Sequence, residues 1–367
     1  MSSSFCQLSK RVLQYLRHEH PHRLFPSIGR RRKLPGINLD GRSQRLCLIG
    51  HVFTHIPLKT KSFFAGIMRF QTLLLVLVAL VIAPFQALSP PSESNVPFTL
   101  RYVPGFFKQG TPSVEIPPSN SRHLGLLDNV TWTDVDAYIA ARAAQGVDVK
   151  LFLFLRHGEG LHNVAEATYG TEAWDRFYSK LAKYTDAKLT KLGMQQAVKA
   201  SERIDEELKR GLSLEEVVVS PLERTLHTAM IACQNHHEIP KRSMEWPRET
   251  IGVCTCDLRG TISAKAELYP SIDFSDIWSD ADPWWTPDHR ETELHINDRA
   301  RIFLNRVFYG HKSVRVGVVT HSGLTTAAMR VIGHRKYSVA TAEVIPFLLE
   351  DTTVHTILSI FSGKEDM

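Results

Sequence analysis

The chain has 367 residues, 43% of them hydrophobic and 22% charged, a composition that supports a sizeable globular core and excludes a disordered or collagen-like polymer. Its formal charge of +6 is unevenly placed: residues 1–70 carry 13 Lys and Arg against only Glu19 and Asp40, and the rest of the chain carries 31 against 36. The larger part is therefore mildly acidic, which argues against a general nucleic-acid binder and confines the basicity to the N-terminal end.

That end contains MRFQTLLLVLVALVIAPFQALSPPSESN, in which Arg69 precedes an unbroken apolar run from Leu73 to Ala83, followed by Pro84 and small or polar residues. A basic flank, a short apolar centre and a small-residue exit are the pattern of a secretory signal peptide over 68–88. The run falls short of the roughly 20 apolar residues of a membrane span. Extended to Leu88, it fits a signal-anchor with its basic side in the cytosol. Residues 1–67 read as a basic N-terminal extension upstream of a natural start at Met68, or as an Arg-rich, acid-poor transit peptide. A buried core helix is the plain alternative for 73–83. The expected localisation is the secretory pathway, secreted or membrane-anchored, with organelle targeting as the alternative. Residues 89–121, rich in Pro, Ser and Asn, read as a linker or surface arm. Asn129-Val130-Thr131 fits a glycosylation acceptor if the chain is secreted.

From about Val147 the pattern alternates. An apolar strand at 150–155 leads to a helix over Thr190 to Lys209, capped by Thr190, with Ala197, Ile204 and Leu208 at helical spacing. A second strand at 216–219 precedes a helix at 222–234. A helix near 296–309 leads into a third strand in SVRVGVVTHSG, a helix follows at 323–333, and VIPFLLE reads as a late strand. Such alternation implies an α/β fold with a mainly parallel sheet covered on both faces, whose ligands sit beyond the carboxyl ends of the strands.

Cysteine is sparse. Cys6 and Cys47 lie near the N-terminus; Cys233, Cys254 and Cys256 lie in the α/β region. Three such residues make no disulfide framework, and Cys254-Thr-Cys256 is C-x-C with no second pair for zinc. All three are expected as packing or free thiols. His236-His237 lacks a partner cluster, and no metal site is expected.

Three strands end in related polar groups: Arg156-His157-Gly158, Ser220-Pro221-Leu222-Glu223-Arg224, and Thr320-His321-Ser322-Gly323. Two histidines and two arginines at one sheet edge, joined by helix N-termini, form a basic cavity suited to phosphate. The planar fork of arginine matches phosphate oxygens in pairs. One histidine could attack phosphorus if it stays neutral, and nearby cations push its pKa down. A leaving alkoxide then needs a carboxylic acid close by. Each piece alone has a bland reading, as a hydrogen-bonded histidine at a strand end or the ordinary start of an amphipathic helix. The specificity lies in their order along the strands.

LRHGEGLHN, LTKLGMQQA, SPLERTLHTA and VVTHSG, in this order, resemble the histidine phosphatase superfamily, also called phosphoglycerate mutase-like. The RHGEGLHN form and the segments RETIGVCTCDLRGTISAKAELYPSIDFS and DPWWTPDHRET are similar to its plant and fungal branch. The resemblance covers about 97–350. It implies a three-layer α/β/α domain over 122–360. It also implies His157 as a phosphorylated nucleophile, with Arg156, Asn163, Arg224 and His321 binding the phosphoryl group. The donor carboxylate of the family falls between strands two and three, where Glu249 is the first choice and Glu245 and Asp257 compete. Glu159 and His162 are expected to shape the loop rather than touch phosphate. Trp284-Trp285 is read as core, with a lid as the alternative, and His289 stays unassigned.

The activity implied is hydrolysis of a phosphomonoester, without cofactor or metal, on a phosphorylated small molecule or a phosphoprotein. Nucleic acid is not an expected partner, membrane anchoring would run through 68–88, and the oligomeric state is open. The alternatives are a phosphoglycerate mutase-type phosphotransferase and a non-catalytic phospho-ligand-binding protein. The glycolytic mutases carry Trp-Asn where this chain has His162-Asn163, and relatives that lose activity lack one of the two histidines that this chain retains.

Overall fold

The computed structural model describes residues 98–353. The basic extension 1–67, the apolar segment 68–88 and the start of the arm at 89–121 lie outside the described residues, as do residues 354–367. Among the described residues no helix is long and apolar enough to cross a membrane.

The organising element is the strand Val149–Arg156, in which Leu151, Leu153 and Leu155 face one core and Phe152 and Phe154 the other. Consecutive apolar residues from Leu151 to Leu155, rather than every second one, mark a strand buried on both faces. In chain order the strands are β1 (Leu100–Tyr102), β2 (Val149–Arg156), β3 (Glu216–Val219), β4 (Lys241–Ser243), β5 (Ile272–Asp273), β6 (Arg315–Thr320) and β7 (Val344–Asp351). The helices are α1 (Trp132–Ala144), α2 (Leu161–Tyr169), α3 (Thr171–Arg176), α4 (Lys191–Lys209), α5 (Glu223–Ala232), α6 (Ile262–Leu268), α7 (Glu293–Gly310) and α8 (Ser322–Ile332).

The strands form one sheet in the order β1-β7-β2-β6-β3-β4-β5. Its β2, β6, β3, β4 and β5 are parallel, while β7 runs antiparallel to both β2 and β1. One face is covered by α1, α4 and α5 through Trp132, Ile204 and Leu226, and the other by α7 and α8 through Phe303, Leu304 and Leu324. Burying each such side chain contributes about 1.5–3 kcal/mol. The helices start where their sequences supply caps. Thr131 closes a capping box with Asp134 on α1, and the Thr190 hydroxyl accepts the Gly193 N–H at 2.9 Å on α4. Gly333 ends α8 at a φ of 76°.

The segment read as a linker supplies β1, which pairs with β7, and both Leu100 and Phe107 are fully buried. Three strand residues between Pro97 and Pro104 are too few to show a period of two. The late strand VIPFLLE enters as β7 in the antiparallel sense.

Candidate active site

The ends of β2 and β6 are level, because the His157 N–H donates to the Thr320 carbonyl at 3.0 Å and extends their ladder by one residue. This brings the rings of His157 and His321 to 5.1 Å between centroids. The neighbouring β3 is followed by Ser220, whose hydroxyl lies 2.8 Å from Nε2 of His321. Nδ1 of His321 has no partner among the described residues. Both histidines are almost wholly buried.

The hydrogen bonds of His157 fix its tautomer. Nδ1 lies 2.7 Å from the Gly158 carbonyl, which can only accept, so the proton sits on Nδ1. Nε2 is left bare, and Nε of Arg224 donates to it at 3.3 Å. Arg224, in the first turn of α5, is fully buried, with its other nitrogens donating to the Cys256 carbonyl at 2.6 Å and to Oδ1 of Asp257 at 2.9 Å. Burial holds the His157 pKa well below the ordinary imidazole value, and the Arg224 and Arg156 guanidinium groups push the same way. His162 and His321 are lowered too, first by burial and then by Arg224.

Arg156 anchors one nitrogen on the Val339 carbonyl at 2.8 Å, while its buried Nε finds no acceptor among the described residues. Asn163 caps α2 by accepting the Gly160 N–H at 2.9 Å and lines the same cavity, of about 510 Å³, as Arg156 and His157. The loop carrying His157 is braced from α4. Thr190 donates its hydroxyl to Glu159 at 2.7 Å, and the Glu159 N–H donates to Gln196 at 2.8 Å. A Cβ on Gly158 would stand 2.2 Å from the Gly193 carbonyl oxygen, and one on Gly193 would stand 2.1 Å from that of Glu159. LTKLGMQQA therefore sets a helix end against the loop at a distance only glycine allows.

Across the cavity stands Glu249. Its Oε2 accepts from the Gly323 N–H at 3.1 Å and the Ser322 hydroxyl at 3.3 Å, at the N-terminus of α8, and its Oε1 accepts the Thr250 N–H at 2.9 Å. A Cβ on Gly323 would come within 1.9 Å of Oε1, so the glycine makes room for the carboxylate. The two competing carboxylates are differently placed. Glu245 is buried outside the cavity lining, with its oxygens on Arg248 at 3.0 Å and Arg259 at 2.6 Å. Asp257 lines the cavity but lies between Arg224 at 2.9 Å and Arg290 at 2.8 Å; burial raises its pKa and those two arginines pull it back.

The expectation of free thiols is overturned for two of the three cysteines. Cys254 and Cys256 are joined in a disulfide with Cα atoms 5.3 Å apart, and only Cys233 stays free among the described residues. Local turn geometry across Thr255, invisible to spacing arguments, brings the sulfurs together on the cavity wall, beside Asp257. His162, expected to shape the loop, stands inside the site. Its ring is 9% exposed, lies 5.5 Å from that of His157 and lines the cavity. Trp174, Asp175 and Arg290 line it as well and carry no sequence signal of their own. Trp284 packs against Trp246 on the core, and Trp285 donates to the Cys254 carbonyl at 2.8 Å. His236 is paired with Asp205 at 2.7 Å, and His289 is exposed.

Cations and neutral imidazoles gathered beyond the carboxyl ends of parallel strands place this chain in the class of phosphoryl-handling α/β proteins. Its residues 152–363 match the model of the histidine phosphatase superfamily, branch 1, and the chain belongs to that superfamily. It is 32% identical over 281 residues to a protein of Arthroderma benhamiae that bears the name "Probable phosphoglycerate mutase", covering 68% of this chain and 84% of that one. It is also 32% identical over 203 residues to phosphoglycerate mutase-like protein 1 of Arabidopsis thaliana, covering 47% of this chain and 68% of the relative. Among solved structures it matches a mycobacterial glucosyl-3-phosphoglycerate phosphatase at a TM-score of 0.35 and 19% identity, over 54% of this chain and 89% of the other. That likeness is too loose to carry an argument of its own.

Proposed function

We propose that the protein hydrolyses phosphomonoesters through a phosphohistidine formed on His157. The observation that carries this reading is the unprotonated Nε2 of His157, kept so by burial and accepting, among the described residues, only from Nε of Arg224 at 3.3 Å. In the first step Nε2 attacks phosphorus, the P–O ester bond breaks, and its electron pair leaves on the ester oxygen, which takes a proton from Glu249. In the second step water attacks the phosphohistidine while the Glu249 carboxylate accepts its proton, releasing phosphate and restoring the neutral ring. Arg156 and the Asn163 amide, both on the cavity lining, hold the equatorial oxygens, while Arg224 and His321, fully buried beside His157 and outside that lining, stabilise the phosphoryl group through their charge and hydrogen bonding. A cavity of about 510 Å³ is the size of a small-molecule site, which favours a phosphorylated metabolite over a phosphoprotein.

The test is chemical. Brief incubation with a labelled phosphomonoester should leave phosphate on the protein in an acid-labile, alkali-stable form, together with release of inorganic phosphate. His157→Ala, buried at the carboxyl end of β2 but outside the apolar core clusters, should keep its circular dichroism and lose both label and turnover. Turnover in a folded His157→Ala protein would sink the covalent mechanism. The mutase reading, which the names of the relatives favour, predicts instead that phosphate passes between the 2- and 3-positions of phosphoglycerate faster than it is released.

A further inference from the structure

Beyond the phosphate end, the cavity wall built by α2 and α3 is acidic. Glu166 and Asp175 both line it, and neither has an ion-pair partner among the described residues. Trp174, on the same short helix as Asp175, also lines this wall, with its indole packed edge-on against Tyr184. The facing wall offers one cation outside the phosphate end, Arg290. One of its nitrogens is spent on the carbonyls of Thr250 and Gly252 and on Asp257, a carboxylate it shares with Arg224. His162 adds an independent sign of a ligand. Its Nδ1 is buried against Gly160 and has no partner among the described residues, so the ring offers the cavity its Nε2. That Nε2 can donate or accept according to the tautomer, and so can meet an ester or hydroxyl oxygen next to the phosphate.

Resting on the phosphatase reading, we infer that the α2–α3 wall selects phosphomonoesters whose organic part carries an ammonium group and no second anion. Two carboxylates without an ion-pair partner among the described residues attract a cation in a half-enclosed cavity. The same carboxylates repel a carboxylate or second phosphate, which is the feature a phosphoglycerate or bisphosphoglycerate would have to place there.

Three esters of one size separate the charges: O-phosphoethanolamine, ethyl phosphate and phosphoglycolate, with p-nitrophenyl phosphate as a general reporter. Steady-state kinetics of the full chain should give kcat/KM in that order, with phosphoethanolamine ahead of phosphoglycolate by on the order of 10- to 100-fold, mostly in KM. The Glu166→Gln, Asp175→Asn double variant, altered at one half-buried and one exposed position, should collapse that ratio toward 1. A ratio near 1 in the unmodified protein, or one favouring phosphoglycolate as Arg290 alone would predict, overturns the inference while phosphate release still supports the phosphatase. A ratio that survives the double variant moves the selection off this wall and overturns the assignment. Failure to hydrolyse any of the four esters removes the phosphatase reading, and this inference with it.

Discussion

At the scale of single residues, Glu249 is the side chain whose proposed role can be tested apart from its contribution to structure. Both of its oxygens are held by N–H and O–H donors, from Gly323, Ser322 and Thr250, so the amide of Glu249→Gln can keep part of that network. An alkyl ester needs a proton on its leaving oxygen, and losing a general acid costs on the order of 10²–10⁴ in rate. Glu249→Gln should therefore slow hydrolysis of ethyl phosphate by that factor. The nitrophenolate leaves without help, so p-nitrophenyl phosphate should suffer far less. Equal losses on both would move the donor elsewhere, with Asp257 the remaining carboxylate deep in the cavity. The residues legible in the sequence were those fixed by a strand end: His157, Arg156 and His321 follow directly from where β2 and β6 stop. Asp175 and Trp174 were not legible, because they reach the cavity only through the packing of α3 after α2, in a stretch without a motif.

At the scale of elements, the fit between the β2 loop and the start of α4 controls the position of His157. Gly193→Ala would push a methyl group into the Glu159 carbonyl and force the loop to shift. A displacement of about 1 Å can cost on the order of 10²-fold in rate, whereas overpacking costs about 1–3 kcal/mol of stability. Gly193→Ala should accordingly lower kcat/KM steeply and move the urea midpoint modestly. Gly310→Ala, where a Cβ meets nothing within 4 Å, serves as the control and should change neither by much. The buried strands and the capped α4 were readable from period and composition, since β2 is apolar from Leu151 to Leu155 and Thr190 precedes a helical pattern. The edge strand β1 and the Cys254–Cys256 bridge were not, since three strand residues show no period and two cysteines two apart suggest no framework.

At the scale of the whole molecule, the neutral buried histidines tie stability to pH. His157, His162 and His321 have pKa values well below the ordinary value, and His334 is lowered to about 4, in each case chiefly by burial. Below about pH 6.5 the unfolded chain protonates these rings while the folded chain does not. The unfolded state then binds more protons, and stability rises with pH across that window. Each ring costs up to about 1.4 kcal/mol for every pH unit below 6.5, until its own folded pKa is reached. The melting temperature should thus fall between pH 7 and pH 5, with net proton uptake on unfolding in calorimetry. A midpoint unchanged over that interval would contradict the neutral state of these rings. Activity should follow a different course, since His157 stays neutral well below pH 6.5 and its own protonation sets no acid limb there.

The pairing of β1 with β7 has a consequence for how the domain can be attached to anything else. Leu100 lies opposite Asp351, and Glu350 lies opposite Val149, the first residue of β2. The Thr352 N–H donates to the Thr99 carbonyl at 3.1 Å, so the entering and departing ends of the described chain run side by side at the amino-terminal edge of the sheet. The cavity opens at the other edge, beyond Arg156. A tether, fusion partner or solid support joined at either end would therefore hold the domain from behind, leaving the mouth of the cavity open to diffusing ligand.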